Sequence, residues 1–254
     1  MSKAPAVDYA LKIIECFANT KEELGIADIS NMLAINKNAV SRVLEALIEK
    51  DWIYMSDTVS KKYRLTMRPF SIISASVSEN EMLKISKPIL SRIHEQIGDS
   101  IYLGIKNGNN VLYLLHFDSV KEVRISGRAG GEYPLHCSAP GKVLLAHELP
   151  TEIDAYFSVT PEKRTDNTLQ TAVEFYEESQ KIKKMGYAID NEEFGKGILC
   201  IACPVYNSNG KVVATVGLSS LTIYDDINSM IRNKYPILEH AAMQISTALG
   251  HKTL

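Results

Sequence analysis

The sequence predicts an α+β protein built in two parts, and three observations carry the prediction. Up to Gly98 apolar side chains return at helical spacing; from Ser100 the spacing drops to two; beyond that, Gly, Pro and Asn-Gly signals mark off helices beside a mostly antiparallel sheet. With 254 residues and 45% apolar composition the chain can bury a full core and is long enough for two domains. Its formal charge of -2 does not advertise a nucleic-acid partner, although a balanced total can hide one basic module.

The first element is a helix from Val7 to Phe17, with Val7, Ala10, Leu11, Ile14 and Phe17 at the repeat. A second, Ile26 to Leu33, brings Ile29, Met32 and Leu33 to one side, and Ala34-Ile35-Asn36 is a connection short enough for a helix-turn-helix. The next helix, Lys37 to Lys50, carries the stripe Val40, Val43, Leu44, Leu47 and Ile48, with Asn36 placed to cap it. Its polar side bears Lys37, Asn38, Ser41, Arg42 and Glu45, crowded into the first turns. An amphipathic helix of this sort most often only packs, but the crowded end is the one a recognition helix offers to base edges and phosphates.

Trp52 to Met55 and Lys62 to Leu65 are β-prone runs joined by the polar stretch Ser56 to Lys61, which reads as a hairpin. Helix, helix, turn, helix, hairpin is the order of a winged helix-turn-helix, expected over residues 1–66, with Lys61 and Lys62 on the wing. Lys37 to Arg68 holds seven basic and four acidic residues, a local excess of three positive charges that favours contact with DNA. Arg68-Pro69 should open a linker helix over residues 67–79 through Phe70, Ile73 and Val77. A longer helix bearing Met82, Ile85, Ile89, Ile93 and Ile97, stopped by Gly98, then begins a second domain over residues 80–254.

In that domain Ile101, Leu103 and Ile105 lead to the turn Asn107-Gly108 and a partner strand Val111 to Phe117, with Val123 to Ile125 expected as a third. Helices are expected at Val143 to His147, Thr151 to Phe157 and Thr171 to Met185, the last stopped by Gly186. Strands Ile198 to Val205 and Val212 to Leu218 close the sheet, and a final helix from Asp225 to Leu249 should break or kink at Pro236.

Several classes are disfavoured. Met1 to Pro5 is too short and polar for a signal peptide, and no apolar run approaches the roughly 18 residues a membrane span needs, so a soluble, cytoplasmic protein is expected. Cys200 and Cys203 have CxxC spacing, but on a strand they face opposite ways; with Cys16 and Cys137 scattered, neither metal, disulfide nor cofactor is expected. His136-Cys137 would face apart on a strand, there is no HExxH spacing, and Asp190, Glu192 and Glu193 read as turn carboxylates, so catalytic residues are not expected. Two stretches could hold a small molecule. Ser138-Ala139-Pro140-Gly141 leads into a helix whose free N–H groups suit a carboxylate, and Asp190 to Gly197 is polar and Gly-bearing between strands. Both are equally readable as plain turns.

HCSAPGKVLLAH (His136 to His147) and GYAIDNEEFGKGILCIACPVYNSNGKVVATVGLSS (Gly186 to Ser220), following a winged helix-turn-helix, resemble IclR-type transcriptional regulators over nearly the whole chain. The resemblance implies a GAF-like effector domain, dimers that pair into tetramers, and repression or activation of a catabolic operon controlled by a small metabolite, a carboxylate such as a sugar acid or keto acid. It places the pocket at Val123, Ser126, Ala139, Pro140, Asp190, Ile198, Cys200, Gly217 and Ser219, and DNA contacts at Lys37, Asn38, Ser41, Arg42, Lys61 and Lys62. Gly217 stands where keto-acid-binding relatives carry serine, and Ser126 replaces a large apolar residue; both imply a roomier pocket, fit for a sugar acid. Asn36-Lys37-Asn38-Ala39-Val40 lacks the family's proline and one hydroxyl while Arg42 matches, which implies the same fold on a different operator. The reading from another class is a sensor or enzyme whose first domain only contacts protein.

Overall fold

The computed structural model describes residues 4–20, 22–69, 71–72 and 80–252. The chain divides into two compact units, residues 1–79 and 80–254. Phe70, Ile73 and Val77 of the expected linker helix lie outside the described residues.

The first unit contains α1 (Pro5–Asn19), β1 (Leu24–Gly25), α2 (Ile26–Leu33), α3 (Lys37–Glu49), β2 (Ile53–Asp57) and β3 (Lys62–Leu65). Its core gathers Ile13, Phe17, Ile29, Val40, Leu44, Leu47, Ile53 and Tyr63; each such side chain taken from water contributes about 1.5–3 kcal/mol. The α1 phase differs from expectation. Ile13, Cys16 and Phe17 face inward, while Val7 and Leu11 are 59% and 56% exposed. Met32 and Ile48, expected on buried stripes, are exposed too. The hairpin is present and gains an unforeseen third strand, β1, which pairs with β3 at Leu24↔Tyr63. Asp28 explains why β1 stays there: its carboxylate accepts the Gly25 N–H at 2.9 Å and the Lys62 ammonium at 2.5 Å, tying the start of α2 to the wing. Ala34 ends α2 at φ 53°, a left-handed conformation.

The second unit comprises α4 (Glu81–Ile97), β4 (Ser100–Asn107), β5 (Asn110–Phe117), β6 (Glu132–Pro134), α5 (Ala139–Ala146), α6 (Pro150–Phe157) and α7 (Ala172–Met185). It continues with β7 (Ala188–Asn191), β8 (Ile198–Tyr206), β9 (Val212–Leu221), α8 (Ile227–Asn233) and α9 (Tyr235–Ala248). The six strands form one sheet in the order β6-β5-β4-β9-β8-β7, and every neighbouring pair is antiparallel. Alternation assigns its faces. Ile101, Leu103, Ile201, Cys203, Val216 and Leu218 meet α4, α8 and α9 on one side; Tyr102, Tyr113, Cys200 and Ala202 meet α5 on the other, with α6 and α7 behind it.

Helix ends fall where the sequence puts them. Gly98 and Gly186 stop α4 and α7 with left-handed φ of 73° and 81°, and Thr171 and Glu174 form a capping box at the start of α7. The stripe on α4 is offset, with Leu83, Ser86, Leu90 and Ile93 buried and Met82, Ile85, Ile89 and Ile97 flanking them. The final helix breaks at Lys234, and Pro236 sits in the first turn of α9, where its missing N–H costs nothing.

Two expectations are corrected. Val123 to Ile125 form no strand: residues 118–131 run without regular structure, Val123 is 55% exposed, and the third strand at that edge is β6. The helix expected from Val143 begins at Ala139, because Ser138 Oγ accepts the Gly141 N–H and Pro140 is preset for a first turn, so Ala139-Pro140-Gly141 is helix rather than loop.

Candidate functional site

On the first unit, Asn36 Oδ1 accepts the Ala39 N–H at 2.8 Å and fixes the start of α3. The buried stripe then turns Lys37, Asn38 and Arg42 outward, all exposed and, among the described residues, without a side-chain partner. Ser41 is half-buried and donates to Glu45 at 3.1 Å. Lys61 is exposed at φ 50° near the wing tip. Lys62 differs from expectation: its ammonium is held by Asp28, so it fastens the wing rather than pointing at a ligand.

On the second unit, register builds a polar row across four strands. Ser100 on β4 pairs with Ser219 on β9, Ser219 with Cys200 on β8, and Cys200 with Asp190 on β7, all on the face that meets α5. Pro140, Ile198 and Phe194 close over the row, and the cavity between them measures about 30 Å³, near the space of one water molecule. Of the residues named from the sequence, Pro140, Asp190, Ile198, Cys200 and Ser219 line this cavity. Val123 borders a neighbouring cleft beside Lys121, and Ser126 borders an open groove. Ala139 is buried in the first turn of α5.

Gly217 does not widen the pocket. A β-carbon built there would lie 2.1 Å from Cε2 of Tyr102, so the tyrosine ring fills the space a side chain would take. Tyr102 stacks on Tyr113 at 4.4 Å between centroids, and Tyr113 on Tyr133 at 4.4 Å, forming an aromatic wall that reaches Phe194. These tyrosines, with Ser100, His116, Ile125 and Gly127, were not singled out from the sequence. A signal for two of them existed, since Ser100 and Tyr102 occupy the alternate positions opposite Ile101 and Leu103. The stack itself joins three strands and has no local signature.

Asp190 is the charged group of the row and is fully buried. Its Oδ1 accepts the N–H groups of Glu193 at 2.7 Å and Phe194 at 3.1 Å, while Oδ2 has no partner. Burial pushes its pKa up to about 6 against the pull of those donors and of Lys142. Glu193 is likewise raised to about 7 by burial; its Oε1 accepts from Lys142 at 2.5 Å and its Oε2 is unpaired. Burial favours neutral Lys142, but Glu193 and Glu178 outweigh it and hold the ammonium charged. The Cys200 thiol, 3.1 Å from Ser219 Oγ, is pushed far up by burial, as are the Tyr102 and Tyr113 hydroxyls. Among the described residues no lysine or arginine lines the cavity. The first turn of α5 offers it little: Pro140 has no N–H and Gly141's is taken, which leaves that of Ala139.

His136 and Cys137 lie in a turn, not a strand, and still form no dyad. Both imidazole nitrogens are engaged, by the Tyr156 hydroxyl at 2.9 Å and the Glu162 carbonyl at 3.1 Å, and burial lifts the Cys137 thiol to about 12. Cys200 and Cys203 face opposite sides of the sheet. Among the described residues no group of His, Cys, Asp and Glu is placed to hold a metal, and no helix is long and apolar enough to cross a membrane.

A winged helix-turn-helix joined in one chain to a domain whose small pocket holds a buried carboxyl defines a class, the ligand-responsive transcriptional regulators. Residues 74–247 match the family described as "Bacterial transcriptional regulator IclR C-terminal", and residues 6–56 match "IclR helix-turn-helix domain". The chain belongs to the IclR family of bacterial transcriptional regulators. Among its relatives, the HTH-type transcriptional regulator BhcR of Paracoccus denitrificans (strain Pd 1222) is 31% identical over 219 residues, 86% of this chain and 78% of that one. XynR of Escherichia coli (strain K12) is 29% identical over 97% of both chains. The fold matches that of an IclR homolog from Microbacterium hydrocarbonoxydans complexed with 4-hydroxybenzoate, with a TM-score of 0.84 at 20% identity over 96% of this chain and 98% of that one.

Proposed function

We propose that α3 enters the major groove of an operator, with Lys37, Asn38, Ser41 and Arg42 toward base edges and phosphates and Lys61 on the backbone beside the wing. The free, outward side chains of α3 support this reading. Lys62 serves by anchoring the wing. A homodimer would set two such helices about 34 Å apart, one turn of duplex, and pairs of dimers would make the tetramer. The regulator acts in the cytoplasm on a catabolic operon and is not an enzyme.

The effector is a small organic acid held on the row from Ser100 to Asp190. One observation carries this: a fully buried carboxyl whose second oxygen has no partner faces a cavity otherwise lined by hydroxyls and aromatic rings. An unsatisfied polar atom in such a place costs about 1–3 kcal/mol, which a ligand that pairs with it recovers. With no lysine or arginine among the described residues of the lining, the acid's oxygens meet Ser100, Ser219, the tyrosine hydroxyls and a proton on Asp190. The 4-hydroxybenzoate of the related complex is itself a carboxylate. Because Tyr102 fills the space beside Gly217, a keto acid of a few atoms asks for less widening of the cavity than a sugar acid.

A thermal-shift screen of keto, hydroxy and sugar acids on the full chain, followed by gel shifts on its own upstream region, tests both halves. A compound that raises the melting temperature should also change operator affinity. Binding to the upstream fragment no tighter than to random duplex would overturn the DNA reading; a stabilising acid with no effect on the gel shift would overturn the effector reading.

A further inference from the structure

A cavity of about 30 Å³ cannot admit an organic acid without a wall moving. The sheet floor is locked by its ladder. The wall at 191–194 is pinned by side chains onto its carbonyls: Thr165 to Glu192 at 2.6 Å, Thr168 to Glu193 at 2.7 Å, Arg164 to Phe194 at 2.9 Å and Asn167 to Asn191 at 2.9 Å. The wall supplied by residues 118–131 is held differently. Ile125 and Gly127 of this segment line the cavity. Yet from Glu122 to Gly127, among the described residues, its main chain makes one hydrogen bond to the rest of the unit, from the Val123 N–H to the Tyr224 hydroxyl at 3.3 Å.

Before this stretch, Ser119 and Val120 are fixed to the end of α4 and the start of β4, by Val120 N–H to Gly98 O at 3.0 Å, Ser119 N–H to Ser100 Oγ at 3.1 Å and Ser119 Oγ to Gly98 O at 2.9 Å; beyond them the holding group is Lys121. Its ammonium reaches into a cluster at the edge of the sheet, 2.5 Å from Oδ1 of the fully buried Asp99, 3.5 Å from Ser220 Oγ and 4.7 Å from the centre of the Tyr224 ring. Lys234 bonds both Asp99 and Asp225, and Asp225 accepts from Ser220 at 2.7 Å, so two ammonium groups balance two carboxylates. The far end re-enters the sheet through Gly130 N–H to Tyr113 O at 2.7 Å and Tyr113 N–H to Gly131 O at 2.9 Å. Between the two fastenings Gly127 lies flat on His116, and a β-carbon there would sit 2.2 Å from Nε2.

We infer that residues 122–127 are a strap across the entrance to the pocket, and that Lys121 is a positioning residue whose ammonium, seated between Asp99, Ser220 and Tyr224, latches the strap shut until it releases for an effector to enter. The inference rests on taking this cavity as the effector site, but its geometry can be tested without knowing the effector.

Cys200 on the cavity floor and Cys203 on the opposite face of the same strand provide the readout. In the full-length protein, modification by methyl methanethiosulfonate is followed at both thiols by peptide mass. Lys121→Met, and Lys121→Met with Asp225→Asn to restore charge balance, should speed modification of Cys200 tenfold or more while Cys203 keeps its rate. Gly127→Ala, which leaves the cluster untouched and drives the strap off His116, should do the same and serves if the lysine variants fail to fold. Equal acceleration at both thiols would mean general loosening, and unchanged Cys200 in both kinds of variant would mean a different door; either result overturns the proposal. A thermal-shift screen that finds no acid, combined with selective Cys200 exposure, would sink the effector reading and leave the strap standing.

Discussion

At the scale of single residues, Asp190 sets a proton balance. A carboxyl raised to about 6 is stabilised neutral in the folded state, so folding suffers no penalty below the ordinary aspartate range. The penalty builds between about pH 4 and pH 6, where only the unfolded chain ionises, and levels off above that at roughly 2–3 kcal/mol. Asp190→Asn should therefore match the parent in urea unfolding near pH 4, exceed it increasingly up to about pH 6 and keep that lead at pH 7.5; a gap that does not widen between pH 4 and pH 6 would mean the folded carboxylate has found a partner. The affinity for an acid effector should fall as pH rises through 6, where the folded carboxyl ionises, in the parent and stay flat in the variant. Ala34 offers a second test. It is exposed and left-handed at the turn before α3, so Ala34→Gly should raise stability by about 0.5–1 kcal/mol, seen as a later denaturant midpoint.

At the scale of elements, α3 separates packing from reading. Its inward side is Val40, Val43, Leu44 and Leu47, and Arg42 stands clear of them. Arg42→Ala should abolish or weaken operator binding in a gel shift by tenfold or more while leaving the melting temperature within about a degree, as expected for a surface change. This division was legible in the sequence because both sides repeat at 3.6 residues, and Asn36, Gly98, Thr171 and Gly186 announced their helix ends through their own side chains or lack of one. Other elements were not legible, each for a physical reason. Two residues of β1 cannot show a period, and the contact of Asp28 with Lys62 that fastens their pairing spans 34 residues. Residues 123–125 have strand composition, but the position of their segment is set by contacts of Ser119, Val120 and Lys121 with Gly98, Asp99 and Ser100, which lie about twenty residues earlier in the chain. Motif resemblance named five of the fourteen described residues that line the pocket and missed the tyrosine stack, because ring-on-ring contacts between β4, β5 and β6 depend on register.

At the scale of the whole molecule, the chain holds separate cores: one in the first unit and two, on either face of the sheet, in the second. Calorimetry should resolve two unfolding transitions, and an effector should move only the one that belongs to residues 80–254; a single transition shifted as a block would refute the independence of the cores. The sheet carries one further consequence. Along β8 and β9 successive residues answer to different neighbours, Cys200 and Ser219 to the chamber, Ile201 and Leu218 to the helices behind. New preferences for a compound can thus be written into alternate letters of these two strands, while the intervening letters go on specifying the same scaffold. A lineage of such regulators can change what it senses without relearning how to fold.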